Sequence, residues 1–369
     1  NLYNDHLAFY ASISKYYLHN NKTGYEISKT IIKNNILDNH MLDQVYRNLL
    51  FYKSYIENES SLELFQQTNQ LLHNKHLRNE NIDATLNELW NYLYSLNRNQ
   101  FTKPCKYSFA NNNNNPKLVI TFTTCKRLDL FQQTVRSFVH HLEDVNSIDY
   151  WFCVDDNSSI VDREKMKTEF HWIDYYMKDT NETGHRQSMN IIYDKLVQLN
   201  PTYWLHLEDD FLFINNINIQ DMIQKLDVLD VVNAKQILFN INYAETIEDY
   251  SIKGNLSSNI NNINLHNHKK GDFPYKNCHY WPHYSFRPSI VKFDAIKELG
   301  NFNTENQFFE MDYANKYTNK GFISIFLNEI KHIHIGRLTS ERNTSCKNAY
   351  ELNNEEQFDN VDQPIKIIN

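Results

Sequence analysis

The sequence predicts an all-α domain followed by an α/β domain, and three observations predict this order. The first 100 residues contain one glycine, Gly24, and no proline, and their apolar residues recur at helical spacing. Five consecutive asparagines at 111–115, followed by Pro116, have no side chain suited to burial and predict a linker. Beyond them, short apolar runs bounded by turn residues alternate with amphipathic stretches, which is typical of strands alternating with helices.

The helical domain is predicted at residues 1–105, and the asparagine-rich linker at 106–116. The stretch 41–56 is the clearest helix, because its apolar residues share one face: Leu42, Val45, Leu49 and Tyr52. Four further stretches have the same periodicity: 7–18, 26–34, 62–73 and 82–96. Antiparallel pairs of such helices faintly resemble tetratricopeptide-like repeats. Two roles of this domain stay open: a platform that binds an acceptor or partner, and a domain that only packs on its neighbour.

The α/β domain is predicted at residues 117–345. It begins with a strand at 118–123 and a helix at 128–141. The pattern predicts a second helix at 185–199. It also predicts four further strands, at 150–154, 172–177, 204–207 and 236–241. The remaining residues, 346–369, are polar and acidic and predict a loosely held C-terminal tail.

The glycine content excludes several classes of enzyme. The chain has only seven glycines in 369 residues, and no two of them are close together. Phosphate-binding P-loops, dinucleotide-binding GxGxxG turns and GxSxG nucleophile elbows need clustered glycines, so none of them is expected. The formal net charge of −8 argues against a nucleic-acid partner, because a duplex binder needs a clustered basic face.

The cysteine content and the hydropathy indicate a cellular context. The five cysteines are odd in number and never spaced as CxxC, which favours a reducing compartment, here the cytoplasm. No run of about 18 apolar residues is present, so the sequence predicts no membrane span in this chain. Because the sequence begins with Asn1 rather than Met, a removed N-terminal signal or anchor stays open.

Acidic residues follow two of the predicted strands. Asp155-Asp156 comes directly after the strand at 150–154, and Glu208-Asp209-Asp210 comes after the strand at 204–207. Adjacent carboxylates repel each other, so a strand end with three of them is stable mainly when it is solvated or binds a cation. For Asp155-Asp156 alone, a turn or a helix N-cap is an equally good interpretation.

Four short segments of the α/β domain form an ordered set: 117–137, 152–158, 181–190 and 207–211. They read KLVITFTTCKRLDLFQQTVRS, FCVDDNS, NETGHRQSMN and LEDDF. In order and spacing this set resembles the GT-A nucleotide-sugar glycosyltransferases, in particular their family 2. The resemblance implies a Rossmann-like mixed sheet flanked by helices. Two departures are Glu208-Asp209-Asp210 in place of Asp-x-Asp, and Cys125 where an aromatic or small residue is common.

The resemblance also implies a nucleotide-sugar site, formed by Thr123, Thr124, Arg127, Asp155, Asp156, Gly184, Arg186, Asn190, Glu208 and Asp209. Asp155 is expected to accept a hydrogen bond from a uracil-type imide, while Asp156 supports the turn. Asp210 is expected to bind Mn²⁺ or Mg²⁺, with His334 on a late strand as a further metal ligand. A surface salt bridge for Arg186 and a surface position for His334 stay open as alternatives.

Two later segments are expected to serve the acceptor. Tyr280 and Trp281 lie in an aromatic patch that could stack on a sugar ring or pack in the core. The segment FFEMDY at 308–313 resembles the family's carboxylate motif at a helix start. It implies Asp312 as the general base, with Glu310 two residues earlier as the alternative catalytic residue.

The resemblance therefore implies a metal-dependent glycosyltransferase. It would move a sugar from a nucleotide-diphosphate donor, expected to be a UDP-sugar, to a hydroxyl of a glycan or glycoprotein acceptor, with inversion. One alternative is an inactive scaffold of the same fold that acts through its helical domain. Another is a sugar nucleotidyltransferase, which is disfavoured because the loop after the first strand has no glycine. Whether the chain forms a homo-oligomer stays open.

Overall fold

The computed structural model describes most of the α/β part of the chain and a smaller share of the helical part. The described residues are 2–34, 39–56, isolated positions between 61 and 96, 116–240, 254–260, 263–268, 283–304, 309–327, 331–336 and 352–353. The chain divides into two compact units, Asn1–Gln100 and Phe101–Asn369. The domain limits predicted at residues 105 and 345 lie outside the described residues and stay predictions.

The first unit is helical, as its periodicity predicts. Its helices are α1 (Leu2–Tyr17), α2 (Asn21–Asn34) and α3 (Asn39–Phe51), and a short 3-10 turn, Lys53–Tyr55, follows α3. The two later stretches predicted as helices are described only in part, and the positions described there are helical. A unit that is helical over its described residues therefore precedes the α/β domain, while the repeat-like arrangement of its helices stays a prediction.

Tyr52 is the centre of the first unit's described core. Val45 and Leu49 on one face of α3, and Tyr52 directly after the helix, are fully buried. The Tyr52 hydroxyl donates a hydrogen bond to the Ser12 carbonyl at 2.8 Å, which ties α3 to α1. A Cβ atom at Gly24 would lie 2.6 Å from the Tyr52 ring, so α2 passes this ring closely only because residue 24 has no side chain.

The second unit alternates strands and helices over its described residues. Its strands are β1 (Leu118–Thr124), β2 (Tyr150–Asp155), β3 (Asp174–Met177), β4 (Tyr203–Glu208), β5 (Phe211–Phe213), β6 (Ala234–Leu238), β7 (Gly254–Ile260), β8 (Ile263–His268), β9 (Ser289–Lys292), β10 (Ile323–Phe326) and β11 (His332–His334). Its helices are α4 (Leu128–His141), α5 (Ile160–Glu169), α6 (His185–Leu199), α7 (Ile219–Val228), α8 (Phe293–Leu299) and α9 (Phe309–Asn319).

Seven of these strands form one mixed sheet, in the order β10-β6-β9-β4-β1-β2-β3. β1 pairs in parallel with β2 and with β4, whereas β9 runs antiparallel between β4 and β6. Two small antiparallel pairs, β5 with β11 and β7 with β8, lie outside this sheet. The predicted fold class, a mixed α/β sheet flanked by helices, is confirmed.

Helices cover both faces of the sheet because its strands are apolar on both sides. Ile120 and Phe122 of β1 pack with α4, α5 and α7 in one core cluster, whereas Val119 packs with α6, α8 and α9 in the other. Alternate side chains of a strand point to opposite faces, so a strand buried on both faces has an unbroken apolar run. This burial leaves the strand ends as the place where polar side chains gather.

The predicted elements exist in the structure, but β7, β8, α5 and α7 were not predicted although they have six to ten residues. All five predicted strands exist, as β1, β2, β3, β4 and β6, and the two predicted helices coincide with α4 and α6. Strands β5, β9, β10 and β11 have only three or four residues each. Of these, β11 is the late strand expected at His334, where histidines alternate with apolar residues. The other three runs are too short to show such a pattern, and β9 enters the sheet through pairing with strands far away in sequence.

Candidate functional site

Three parallel strands bring their last residues to one edge of the sheet. In the register of β1 with its neighbours, Thr124 lies opposite Asp155 and Thr123 lies opposite Glu208. The turns that follow β2 and β4 carry Asp156 and the pair Asp209-Asp210. The sheet thus gathers both predicted acidic clusters at its carboxyl edge, which is where α/β sheets bind their ligands.

Arg127 joins the two aspartates that follow β4. Its guanidinium pairs with both carboxylate oxygens of Asp209, and its Nη1 lies 3.1 Å from Asp210 Oδ2. Thr124 Oγ1 and the Cys125 backbone N–H donate to Asp209 Oδ2 at 3.0 and 3.2 Å. Asp209 is 1% exposed, and these donors replace the hydrogen bonds to water that its carboxylate loses on burial.

The charges in this cluster shift one another's pKa values. Burial raises the pKa of Asp209 to about 6, and Arg127 opposes that shift. Burial also favours the neutral form of Asp210, but His334 and Arg127 hold its pKa below the ordinary range. Burial and the neighbouring charges of Asp210 and Glu310 raise the pKa of Glu208 well above normal.

His334 reaches Asp210 through the small β5–β11 pair. His334 lies opposite Phe211 in the antiparallel register, and the Ile335 N–H donates to the Asp210 carbonyl at 2.8 Å. His334 Nε2 is consequently 3.3 Å from Asp210 Oδ2. The other oxygen, Asp210 Oδ1, is buried and has no hydrogen-bond partner among the described residues.

These two side chains can hold a divalent cation. They offer one unsatisfied carboxylate oxygen and one imidazole. Among the described residues, no group of three or more His, Cys, Asp or Glu side chains is arranged to bind a metal. Two protein ligands leave most of the coordination sphere to water or to a ligand's own oxygens, which is how Mg²⁺ and similar ions commonly bind with phosphates. The residues therefore fit the ion that the sequence implies.

Gly336 belongs to the site, although it is not among the predicted site residues. A Cβ atom built at position 336 would lie 2.1 Å from Asp210 Oδ2 and 2.7 Å from Asp210 Cγ. The chain leaving β11 therefore passes directly against the Asp210 side chain, and only glycine allows that approach. A signal in the sequence was the isolated glycine two residues after His334, which marks a close backbone approach at a strand end.

We expect Gly336→Ala to displace Asp210 and to lower stability by about 1–3 kcal/mol, since an added methyl group has no space there. Urea unfolding of the full chain measures the loss. In the background of Asp210→Gly the same alanine should cost much less, because the atoms it meets are gone. Equal costs in both backgrounds would contradict the close contact.

Asp155 and Asp156, adjacent in sequence, have different surroundings. Asp155 is fully buried, and its Oδ2 accepts hydrogen bonds from Arg163 Nε at 2.6 Å and from the Ser158 N–H at 3.2 Å. Asp156 Oδ1 lies 3.0 Å from Lys178 Nζ, and its Oδ2 accepts from the Gly184 N–H at 3.0 Å. Asp155 thus joins the end of β2 to α5, whereas Asp156 joins it to the start of α6.

Lys178 is a second residue that sequence reasoning missed. It follows β3 directly, is fully buried, and donates to the Gly184 carbonyl at 3.0 Å and to Ser188 Oγ at 3.2 Å, besides its ion pair with Asp156. Gly184 has φ of 98°, a backbone conformation that favours glycine. Asp156 binds the Gly184 N–H and Lys178 binds the Gly184 carbonyl, so the turn is held on both sides. The available signal was a lysine directly after the apolar run predicted as the strand at 172–177.

We expect Lys178→Met to destabilise the chain by about 3–5 kcal/mol, because it leaves Asp156 as a buried carboxylate without its cation. Adding Asp156→Asn should recover much of the loss, since both charges are then absent. The control is Lys167→Met, which breaks an exposed pair with Glu164 and should cost less than about 0.5 kcal/mol. Urea unfolding compares the four proteins, and an equal loss in both single variants would contradict the buried pair.

Arg186 and Asn190 face a different part of the structure. Arg186 Nη1 donates to the Thr304 carbonyl at 2.7 Å. Asn190 accepts from the Phe302 N–H at 2.8 Å and donates to Asn303 Oδ1 at 2.8 Å. Both side chains thus hold the segment 301–304, ahead of α9, and neither is brought to Asp210 by these contacts. Their role in nucleotide binding stays a prediction.

The two candidate bases on α9 have different neighbours. Glu310 Oε1 accepts from the Phe286 N–H at 3.2 Å, and its charge contributes to the raised pKa of Glu208. Asp312 Oδ2 lies 3.6 Å from Lys316 Nζ on the next turn of the helix. Glu310 therefore binds the backbone of Phe286, whose ring meets the His185 ring beside Glu208, whereas Asp312 pairs along its own helix. Tyr280 and Trp281 lie outside the described residues.

Two further side chains complete the surroundings of Glu208 and Asp209. His185 Nε2 is 3.5 Å from Glu208 Oε1, and its ring meets Phe309 edge-on with ring centroids 5.3 Å apart. Burial lowers the pKa of His185 to about 4, so the ring is neutral at pH 7. Cys125 stays a thiol, because burial and the charges of Asp156 and Asp209 raise its pKa to about 12.

Comparisons with known proteins do not place the chain in a family. No protein-family model matches it, and no curated protein matches it. Several solved structures match at low identity. The mannosyltransferase PcManGT from Pyrobaculum calidifontis, in complex with GDP-Man and Mn²⁺, is 10% identical, with a TM-score of 0.39 over 77% of this chain and 70% of that chain.

Two other matches are comparable. TarS 1–349 from S. aureus is 12% identical, with a TM-score of 0.35 over 58% of this chain and 59% of that chain. A CMP:2-keto-3-deoxy-manno-octonic acid synthetase complexed with CTP is 13% identical, with a TM-score of 0.38 over 58% of this chain and 91% of that chain. Similarity at this level assigns no activity.

Among the described residues, no helix has both the length and the apolar character that crossing a membrane requires.

Proposed function

We propose that the chain is a metal-dependent glycosyltransferase that takes its sugar from a nucleoside-diphosphate donor. The observation that carries the proposal is the Asp210–His334 pair beside Asp209 and Arg127, at the carboxyl edge of a mixed sheet. This arrangement supports the metal position that the sequence resemblance implies, and it gives the late histidine a partner 3.3 Å away.

Asp210 and His334 would hold the metal ion. Mg²⁺ prefers oxygen ligands alone, so the imidazole of His334 favours Mn²⁺ at this position. When bound, the ion supplies positive charge that stabilises the departing diphosphate. Arg127 does a complementary task within the chain, because its guanidinium compensates the charges of Asp209 and Asp210 before an anionic donor arrives.

The nucleoside end of the donor would lie against the ends of β1 and β2. Asp156 is our candidate to accept a hydrogen bond from the base, because Lys178 and the Gly184 N–H anchor its carboxylate and a side-chain amide from a distant segment reaches its Oδ2. Asp155 instead binds Arg163 through Oδ2, and its Oδ1 is buried without a donor among the described residues. Thr123 and Thr124 border this position from β1. A base with a ring N–H, such as uracil, suits an anchored carboxylate acceptor.

The acceptor hydroxyl, on a glycan or glycoprotein, would be deprotonated by a carboxylate of α9. Glu310 is the better placed of the two candidates, because it accepts from the Phe286 N–H, and the Phe286 ring meets His185 beside Glu208. In the proposed step the hydroxyl proton passes to the carboxylate as the acceptor oxygen attacks the anomeric carbon. The bond from that carbon to the diphosphate breaks on the opposite face, so the configuration inverts.

We expect Asp210→Asn to abolish Mn²⁺-dependent hydrolysis and transfer from a panel of nucleotide sugars, because the unsatisfied ligand oxygen loses its charge. Release of nucleoside diphosphate measures the reaction. Asp221→Asn, at an exposed carboxylate paired with Lys225, serves as the control and should retain activity. Full activity of Asp210→Asn, or wild-type protein that neither binds nor cleaves any nucleotide sugar, would contradict the proposal.

The base is tested by comparing Glu310→Gln with Asp312→Asn. We expect Glu310→Gln to lower kcat by about 10²–10⁴-fold with a nearly unchanged donor KM, which is the usual contribution of a positioned general base. Asp312→Asn should change kcat by less than about tenfold, since Asp312 pairs with Lys316. The reverse ranking would move the base role to Asp312. Proton NMR of the first product reports whether the anomeric configuration has inverted.

A further inference from the structure

Two residues near the C-terminus lie against the candidate nucleotide site. Lys126 Nζ donates a hydrogen bond to the Leu352 carbonyl at 2.8 Å. The Asn353 side-chain amide donates from Nδ2 to Asp156 Oδ2, also at 2.8 Å. These contacts join residues 226 and 197 positions apart in the sequence. The two described residues of the predicted tail are therefore held on the loops that follow β1 and β2.

With Asn353 in place, the Asp156 carboxylate has a full set of donors. Lys178 Nζ and Asn157 Nδ2 lie 3.0 and 3.1 Å from Oδ1, while the Gly184 N–H and Asn353 Nδ2 lie 3.0 and 2.8 Å from Oδ2. A carboxylate has about four acceptor positions, so no position is left for a further donor. Three of the four donors belong to the strand-end turns and α6; Asn353 alone comes from the C-terminal segment.

We infer that Leu352–Asn353 is an intramolecular ligand of the nucleotide site and competes with the donor for Asp156. The inference rests on the proposed function, since it takes Asp156 as the acceptor for the base. The Asn353 amide N–H has the same donor chemistry as the ring N–H of a base such as uracil. Only one of the two can donate to Asp156 Oδ2 while Gly184 holds its other acceptor position.

The segment also engages a cation that the donor could use. Lys126 has φ of 55°, a strained conformation for a residue other than glycine, and its N–H is fixed by Ser158 Oγ at 3.0 Å. The side chain thus starts from a constrained backbone, and Leu352 accepts from its ammonium group. Departure of the segment would free both this cation and the Asp156 acceptor in one event.

The Asn353 contact is suited to release, because among the described residues only its amide N–H is bonded and its Oδ1 is not. Asn353 Oδ1 is buried and has no hydrogen-bond partner among the described residues. An unsatisfied buried carbonyl opposes the favourable N–H contact, so a nucleotide that displaces this side chain has to overcome only about the net contribution of one hydrogen bond to a charged group. The apparent affinity for a nucleotide is then the intrinsic affinity reduced by the fraction of molecules in which the segment is away.

Nucleotide titrations of the full-length chain test this competition. UDP, GDP, CDP and dTDP, each with Mn²⁺, are titrated into wild type and Asn353→Ala by calorimetry. For whichever nucleotide binds, Asn353→Ala should lower the Kd by about tenfold, the size of effect expected from losing one hydrogen bond to a charged group. Asn353→Asp should lower it as well, because a second carboxylate beside Asp156 repels the segment. Asn20→Asp adds the same charge at an exposed position of the first unit and should leave the Kd unchanged.

Hydrogen exchange gives a second measurement on the unmodified protein. Saturating nucleotide should increase amide exchange in the peptide that contains Leu352 and Asn353 in wild type, and should have a smaller effect in Asn353→Ala. An unchanged Kd in Asn353→Ala would overturn the inference, and a higher Kd would mean that Asn353 helps to bind the nucleotide. If no nucleotide binds to any of the proteins, the proposed function itself fails, and the competition falls with it.

Discussion

The bridge from Arg127 to Asp209 and Asp210 is the interaction on which the rest of the site depends. Three consecutive acidic residues end a strand that is buried on both faces, and their mutual repulsion would oppose that burial. One guanidinium, itself largely buried, contacts both aspartates, and Thr124 and the Cys125 backbone support it. With this charge compensated inside the chain, the turn after β4 can present Asp210 to His334.

A second bridge organises the neighbouring strand ends by the same physics. Lys178 and Asp156 form a fully buried ion pair, and both also bind the backbone of Gly184. Such a pair costs desolvation energy, but removing one member costs more, so it holds the turn in a single arrangement. Because Asp156 is this rigid, the side chain that completes its hydrogen bonds, here Asn353, can be exchanged without a change in the surrounding loops.

Much of the fold could be predicted from the sequence, because long elements carry their own pattern. The helices α4 and α6 and the strands β1, β2 and β4 each show an apolar run or period that local physics dictates. The short strand β9 carries no such pattern, and it forms by pairing with the distant strands β4 and β6. The insertion of β9 between β4 and β6, which makes the sheet mixed, is therefore a tertiary outcome.

The sequence by itself determined which residue types end the strands, since carboxylates directly after an apolar run must gather at one edge of a parallel sheet. That placed Asp155, Asp156 and Asp210 at one site. Which of them would be buried, paired or left with an unsatisfied oxygen was decided only by the tertiary structure. Arg163 pairs with Asp155, Lys178 anchors Asp156, and the pairing of β11 with β5 brings His334 to Asp210, beside which Gly336 leaves room. Each partner lies on another element, and local sequence patterns do not indicate which of these contacts form on packing.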